Sequence, residues 1–201
     1  YRDRVGHLMT DVDADPWAVG VPVLSGHRLA GGPGILAPGH ASVLTERVPA
    51  AAPEAGSHVR QLLVHHVRDA DAPTEHRLQV RRLVWTHDGW PLVAPQPWAG
   101  AEREVDDVSR WPADPAVLDG TWERLTPGTD PTHVQDGGVG PLDARTAVRA
   151  LGGGRFAWTA PDGAAVSAVV HPAWDGVRCR STLCLEALDD AGRVTLATRL
   201  P

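Results

Sequence analysis

The chain has 201 residues, of which 42% are hydrophobic and 22% are charged, with a net charge of −6. This length suits one large or two small domains, and the lack of any run of about 20 apolar residues excludes a membrane-spanning helix. The arginines are scattered, with Arg81 and Arg82 the only adjacent pair, so the sequence predicts no clustered positive face for nucleic acid.

The stretch GGPGILAPGHASVL at residues 31–44 places His40 at the start of a predicted strand, after a run of glycines and prolines. Glycine permits close approach of other backbone, so this run gives the chain unusual freedom just before the histidine. A histidine at a strand start is commonly a hydrogen-bonded core residue, and the pattern alone does not separate that role from a functional one.

Short strands dominate the rest of the chain, and no sustained 3.6-residue apolar repeat indicates a long helix. Turn-forming stretches such as THDGW, APDGA and LDDAG separate the strands. This pattern predicts an all-β protein. The clearest predicted strands cover residues 58–68, 76–85, 155–160, 165–171, 181–188 and 193–200.

The predicted strand HRLQVRRLVW has no cleanly polar face. Arg82 shares its side with Val80 and Val84, whereas Arg81 shares the other side with Leu83. Such a strand is typical of a position between two packed layers.

The composition changes near residues 95–120, which are rich in proline, acid and alanine and lack alternation. We interpret this stretch as a connection and divide the chain into domains at 1–112 and 113–201. Residues 118–201 contain six to eight candidate strands, enough for a small closed barrel or a sandwich. The segment 141–151 suits either one helix or an irregular strand.

Cys179 and Cys184 lie close together in CRSTLC. They could form a bridge across a tight loop or remain free thiols. Residues five apart on one strand point to opposite faces, which disfavours the bridge if the strand is regular.

Four motifs in register resemble the last part of the catalytic domain of glycoside hydrolase family 43, the arabinanase-like five-bladed β-propellers. His65 stands where that family more usually has an aromatic residue. The opening DPWAVGVPVLSG resembles the end of the preceding blade. The four motifs are Gly39-His40-Ala41-Ser42, His65-His66-Val67-Arg68, Arg77-Leu78-Gln79-Val80 with Trp85, and Asp88-Gly89-Trp90-Pro91.

The remaining segments LDGTWERLT, GGGRFAWTAPDG, HPAWDG and LCLEALDDAGRVTLATR resemble the lipocalin-like β-barrel that follows the propeller in some arabinanase-type enzymes. The resemblance implies an all-β fold: C-terminal blades of a five-bladed β-propeller at 1–112, then a small antiparallel β-barrel at 113–201.

The resemblance implies that His40 lies near the propeller axis and binds a metal ion, with Ca²⁺ as the expected ion and water as most of the other ligands. Calcium prefers oxygen ligands, so one imidazole is an unusual contribution. His65 and His66 are adjacent, so they face opposite sides of a strand and do not form a two-histidine site. Arg77 is expected to form a structural ion pair inside the blade, and Trp85 and Trp90 are expected to pack in the core and the turn.

Inversion at a glycosidic bond needs a general acid and a general base about 6.5–9.5 Å apart. In the family, an Asp base, a Glu acid and a second Asp come from earlier blades, upstream of anything that matches this chain. No acidic residue here follows a strand that enters an axis, so we predict no catalytic residue in this chain. The residues considered are Asp11, Asp13 and Asp15 in a surface turn, Glu46 in a loop, Asp69 and Asp71 at a hairpin tip, and Asp88 in a turn.

A propeller blade takes roughly 40–50 residues, so residues 1–100 make about two blades of a ring. The chain also begins without Met. We therefore expect the C-terminal portion of a glycoside hydrolase that is inactive alone, acts on arabinan- or arabinoxylan-type polysaccharide, is extracellular, and is monomeric when full-length. The alternatives are a non-catalytic carbohydrate-binding module and, third, a scaffold or lipid-pocket protein built on the barrel.

Overall fold

The computed structural model confirms the all-β prediction. Among the residues it describes, the helical turns are two 3-10 helices, Val108–Arg110 and Pro115–Leu118. None of the helices in this described part is long and apolar enough to cross a membrane. The described residues are 21–29, 31–49, 57–128, 130 and 132–201.

The first sheet has six strands in the order β5-β4-β3-β2-β1-β7. Strands β1 to β5 pair antiparallel in sequence, whereas β7 comes from beyond residue 130 and pairs parallel with β1. The strands are β1 His27–Arg28, β2 Ile35–Pro49, β3 Ser57–Asp69, β4 His76–Trp85, β5 Pro91–Pro97 and β7 Gln135–Asp136.

The second sheet has seven strands in the order β8-β6-β13-β12-β11-β10-β9. Strands β8 and β9 are the edges of this sheet among the described residues. Closure of the sheet into a barrel stays a prediction, and so does the boundary between two domains at residues 112 and 113. The strands are β6 Trp122–Leu125, β8 Gly138–Gly140, β9 Thr146–Gly152, β10 Arg155–Thr159, β11 Ala165–Asp175, β12 Arg180–Asp189 and β13 Val194–Arg199.

Aspartates close the hairpins of both sheets. The Oδ1 atoms of Asp69, Asp162, Asp175 and Asp189 each accept a hydrogen bond from the backbone N–H two residues later, at 2.9–3.1 Å. This bond imitates a backbone turn and is the reason that aspartate recurs between strands in the sequence. The turn residues therefore place the strand ends as predicted.

The second sheet packs on both faces. One face, with Leu185, Ala187 and Phe156, forms a core of its own around the buried Trp122. The opposite face turns Val169, Leu188 and Leu196 towards Leu92 and Val84 of the first sheet. Alternation along each strand produces this division, because successive side chains point to opposite sides. The two sheets consequently share an interface along β5.

Candidate histidine row and buried polar clusters

Three histidines form a row across adjacent strands at one end of the first sheet. His40 in β2 stacks on His66 in β3, with ring centroids 5.8 Å apart and planes 22° apart. His66 meets His76 in β4 edge to face at 5.6 Å. We call these three residues the histidine row. His40 and His76 are exposed and His66 is half-buried, so the row presents imidazole nitrogen at the surface.

The backbone before and at His40 is irregular. The β2–β3 register shifts between Leu36 and Gly39 and again between Gly39 and Ser42. Ala37 and His40 have positive φ values of 44° and 52°. A bulge of this kind redirects a side chain next to a ladder, so it aims His40 towards His66. His40 thus lies within β2, which begins five residues before the predicted strand start.

Replacing His40 tests this backbone conformation. His40→Gly is expected to keep or raise the free energy of unfolding, whereas His40→Val is expected to lower it by about 1–2 kcal/mol because a β-branched residue is strained at positive φ. Urea unfolding of both variants measures the difference. Equal stability of the two variants would show that residue 40 does not hold a left-handed conformation.

Two glycines before His40 lie close to side chains of neighbouring hairpins, whereas the approach of backbones in an axial channel stays a prediction. A Cβ on Gly34 would lie 2.7 Å from the Cβ of Ala70, at the β3–β4 hairpin. A Cβ on Gly32 would lie 2.7 Å from a methyl of Val177, in the β11–β12 hairpin of the second sheet. Gly32 and Gly34 therefore fit against two hairpins that leave no room for a side chain at either position.

The histidine row offers nitrogen donors, whereas calcium prefers oxygen. Imidazole suits zinc, copper or nickel better, and His40 alone would give calcium one ligand. The described residues of the row therefore do not make a calcium cage. A calcium ion at His40 remains a proposal that needs oxygen ligands from water or from residues outside the described part.

His65 faces the opposite side of β3 from His66, as predicted, and lies beside the buried Arg81 and His27. Arg81 donates to the carbonyl oxygens of Ala94 at 3.1 Å and of Pro95. Burial, followed by the positive charge of Arg81, lowers the pKa of both His27 and His65 to about 4. The two imidazoles are therefore neutral at physiological pH.

This lowered pKa makes stability depend on pH. A histidine that is neutral in the fold and has an ordinary pKa of 6.5 when unfolded stabilises the fold fully above pH 6.5, and that contribution disappears as the pH falls to about 4. The contribution of His27 amounts to about 3 kcal/mol. Urea unfolding should show that the free energy of unfolding falls less between pH 7 and pH 4.5 in His27→Gln than in the unsubstituted chain. An identical fall in both proteins would contradict this role of His27.

A buried ionic network links β4 to the connection after β5. The Arg82 guanidinium donates to Glu104 at 3.1 Å and to Asp106 at 2.8 Å, and all three side chains are at most 5% exposed. Arg60 bridges Asp106 and Glu46. Glu46 lies in β2, so the prediction that it occupies a loop is wrong: the strand continues to Pro49. The network fastens residues 104–106 to the first sheet.

The other candidate acids are engaged in ion pairs or turns. Asp69 pairs with Arg77, whose side chain is 52% exposed, so the ion pair exists but its predicted location inside the blade is wrong. Asp71 pairs with Arg28 at 2.7 Å, and this hydrogen bond lowers the pKa of Asp71. A general acid needs a raised pKa, so Asp71 has the wrong environment. Asp88 lies in the β4–β5 turn, and Asp11, Asp13 and Asp15 lie outside the described residues.

Trp85 and Trp90, both predicted to pack in the core or the turn, differ in their burial. Trp90 packs against the core that joins the two sheets. Trp85 is 40% exposed and donates its indole N–H to Gln61, so its predicted core position is wrong. It follows Val84, which packs in the core between the two sheets, and successive side chains of a strand point to opposite faces.

Both cysteines are free, Cys179 exposed and Cys184 buried. Cys184 lies in a second cluster with His171 and Glu186, at the interface of the two sheets. Burial, then the negative charges of Glu186 and Glu104, raise the pKa of the Cys184 thiol well above its usual range. Sequence reasoning missed this cluster, although the Cys-x-Glu alternation in one strand and a histidine in its hairpin partner are visible signals.

An open cleft of about 370 Å³ lies on the second sheet. Its lining combines the apolar Leu142, Trp158 and Val166 with the charged Asp143 and Arg193. An indole beside paired charges is a surface on which a sugar ring can stack and form hydrogen bonds.

Solved structures of glycoside hydrolases share this fold. A family 43 YxiA protein from Bacillus licheniformis is 22% identical with a TM-score of 0.73, and the likeness covers 100% of this chain and 46% of that chain. An endo-1,5-alpha-L-arabinanase from Thermotoga petrophila, in complex with TRIS, is 19% identical with a TM-score of 0.70, covering 92% of this chain and 41% of that chain. A second structure of that arabinanase is 17% identical with a TM-score of 0.62, and the likeness covers 92% of this chain and 42% of that chain.

These likenesses show an arabinanase-like family 43 fold, and the chain spans less than half the length of the proteins it matches. No protein-family model matches the chain, and no curated protein sequence does either.

Proposed function

We propose that the chain is the C-terminal portion of a glycoside hydrolase that cleaves O-glycosidic bonds in arabinan- or arabinoxylan-type polysaccharide with inversion. The observation that carries this proposal is the family 43 fold over the whole chain. An endo-1,5-alpha-L-arabinanase is among the proteins that share it. On this proposal the protein acts outside the cell and is monomeric when full-length.

Apolar side chains exposed on both faces of the first sheet support a larger assembly. Leu44 and Leu78 lie on one face and are 43% and 72% exposed, whereas Val43 and Val59 lie on the other and are 53% and 55% exposed. A propeller blade packs against a neighbour on each face. We propose that preceding blades cover these residues and supply the catalytic carboxylates.

Hydrolysis of arabinan tests the proposal. The 201-residue chain alone is expected to release no sugar, and the protein extended by its upstream coding segment is expected to release sugar whose anomeric configuration is inverted in early ¹H NMR spectra. Retention of configuration would contradict inversion, and an inactive extended protein would contradict the enzyme proposal.

The cleft beside Trp158 favours a second candidate, a non-catalytic carbohydrate-binding module. On this alternative, the chain binds arabino-oligosaccharides without turnover by the extended protein. Isothermal titration with the chain and with Trp158→Ala separates the two, because stacking on an indole contributes to sugar affinity. Binding that Trp158→Ala leaves unchanged would exclude the cleft as the sugar site.

A further inference from the structure

The interface between the two sheets buries three side chains of the types that ligate metals. His171 lies in β11, and Cys184 and Glu186 lie in β12. One ligand atom from each lies within 4.8 Å of the other two, and all three residues are 0% exposed. This group is separate from the histidine row and has no part in the proposed hydrolysis.

Strand register brings the three together. His171 is the direct cross-strand partner of Cys184, and Glu186 follows two residues later on the same face of β12. That face also carries Leu188, which packs in the core shared with the first sheet. The cluster is therefore held by two paired central strands, which fix its side chains more firmly than a loop would.

Hydrogen bonding turns one nitrogen of His171 towards Glu186. Nδ1 lies 3.0 Å from the carbonyl oxygen of Pro172, and because a carbonyl only accepts, Nδ1 carries the proton. Nε2 lies 3.1 Å from Glu186 Oε1. Nε2 therefore faces a carboxylate oxygen, and this contact needs a cation or a second proton between the two atoms. A histidine that donates its other N–H to a backbone carbonyl is the usual arrangement of a metal ligand.

Glu186 supplies a second, independent observation. Its Oε2 atom is buried and has no hydrogen-bond partner among the described residues. A buried carboxylate oxygen without a partner has lost its hydration without gaining a hydrogen bond in return. Coordination to a cation would remove that cost.

We propose that His171 Nε2, Cys184 Sγ and a Glu186 carboxylate oxygen bind a divalent metal ion of the zinc class. Imidazole, thiolate and carboxylate are the ligands of zinc, whereas calcium and magnesium take oxygen alone. Tetrahedral zinc places its ligands about 3.5 Å apart, and the three ligand atoms here lie within 4.8 Å of one another. The fourth ligand is water or the Thr198 hydroxyl, which lies 4.0 Å from Sγ.

Cobalt substitution tests the site through its sulfur ligand. The chain is produced in medium supplemented with Co²⁺, because a completely buried site must take up its ion while the chain folds. It is then purified in EDTA, which removes cobalt from exposed sites such as the histidine row. A thiolate-to-cobalt charge-transfer band in the near ultraviolet is expected, with about one ion per chain. A cobalt-free protein, or bound cobalt without that band, would overturn the proposal.

Matched variants locate the ligand. Cys179→Ser removes the exposed cysteine and is expected to retain the band. Cys184→Ser is expected to lose the band and to bind at least tenfold less cobalt per chain. Glu186→Gln, which keeps the shape of the side chain, is expected to weaken binding. Loss of the band in Cys179→Ser with retention in Cys184→Ser would contradict the assignment. The outcome does not depend on the hydrolase proposal, since no step of this test uses polysaccharide.

Discussion

Arg82→Met is expected to lower the free energy of unfolding by about 3–5 kcal/mol, the cost of removing one partner from a buried ion pair. Methionine keeps the apolar stem of the side chain but leaves Glu104 and Asp106 facing each other, with side chains 2% and 5% exposed. Among the described residues, Glu104 then has no cation and Asp106 keeps only Arg60, so the buried carboxylate of Glu104 must take up a proton or admit water. Urea unfolding at pH 7 measures the loss.

Arg28→Met is the matched control, because Arg28 also pairs with an aspartate but does so at the surface. Asp71 is 66% exposed and Arg28 is 35% exposed, and water replaces such a partner at little cost. This variant is expected to unfold at nearly the same urea concentration as the unsubstituted chain. Equal losses in the two variants would show that burial of the Arg82 network does not determine its contribution.

Gly154→Ala is expected to cost about 3 kcal/mol or more, since two effects add. Gly154 has a φ of 71°, which strains any L-residue. A Cβ at this position would also lie 2.3 Å from the carbonyl oxygen of Val170 and 3.0 Å from the Trp111 ring. The backbone of β11 would have to move, and with it the neighbouring His171.

Gly163→Ala separates the clash from the backbone strain. Gly163 has a φ of 90°, and a Cβ there would meet nothing within 4 Å. This variant is expected to lose only about 1 kcal/mol, the cost of positive φ. Thermal unfolding of both variants gives the comparison, and a loss at Gly163 as large as that at Gly154 would mean that close packing of Gly154 is unimportant.

Local pattern was sufficient to predict most strands. The strand predicted at 76–85 has the observed bounds of β4, and the one predicted at 58–68 differs from β3 by one residue at each end. The segment 141–151, ambiguous in sequence, holds all of β9 except its last residue, Gly152. Alternation and aspartate turns are local properties, so the sequence reports them directly.

Proline hid one strand and the true extent of another. Strand β5 contains Pro91, Pro95 and Pro97 and was not predicted, because proline cannot donate to a ladder and is confined to strands such as this sheet edge. Strand β2 continues through Pro38 and Gly39 only because two register shifts accommodate them. Bulges depend on the partner strand, which the sequence does not identify.

The candidate sites were less predictable than the strands. His40 was identified from motifs, but its stacking with His66 and His76 requires the strand order of the first sheet. The cluster of His171, Cys184 and Glu186 requires the β11–β12 register and the burial that the first sheet supplies. Chemistry that depends on distant strands becomes visible only once the fold is known.

We propose that further blades cover the exposed residues on both faces of the first sheet. Amide hydrogen exchange of the 201-residue chain is compared with that of the protein extended by its upstream segment. Slower exchange is expected in β2, β3 and β4 of the extended protein, around Leu44 and Leu78 on one face and Val43 and Val59 on the other, with β11 and β12 unchanged. Identical exchange of the first sheet in the two proteins would contradict it.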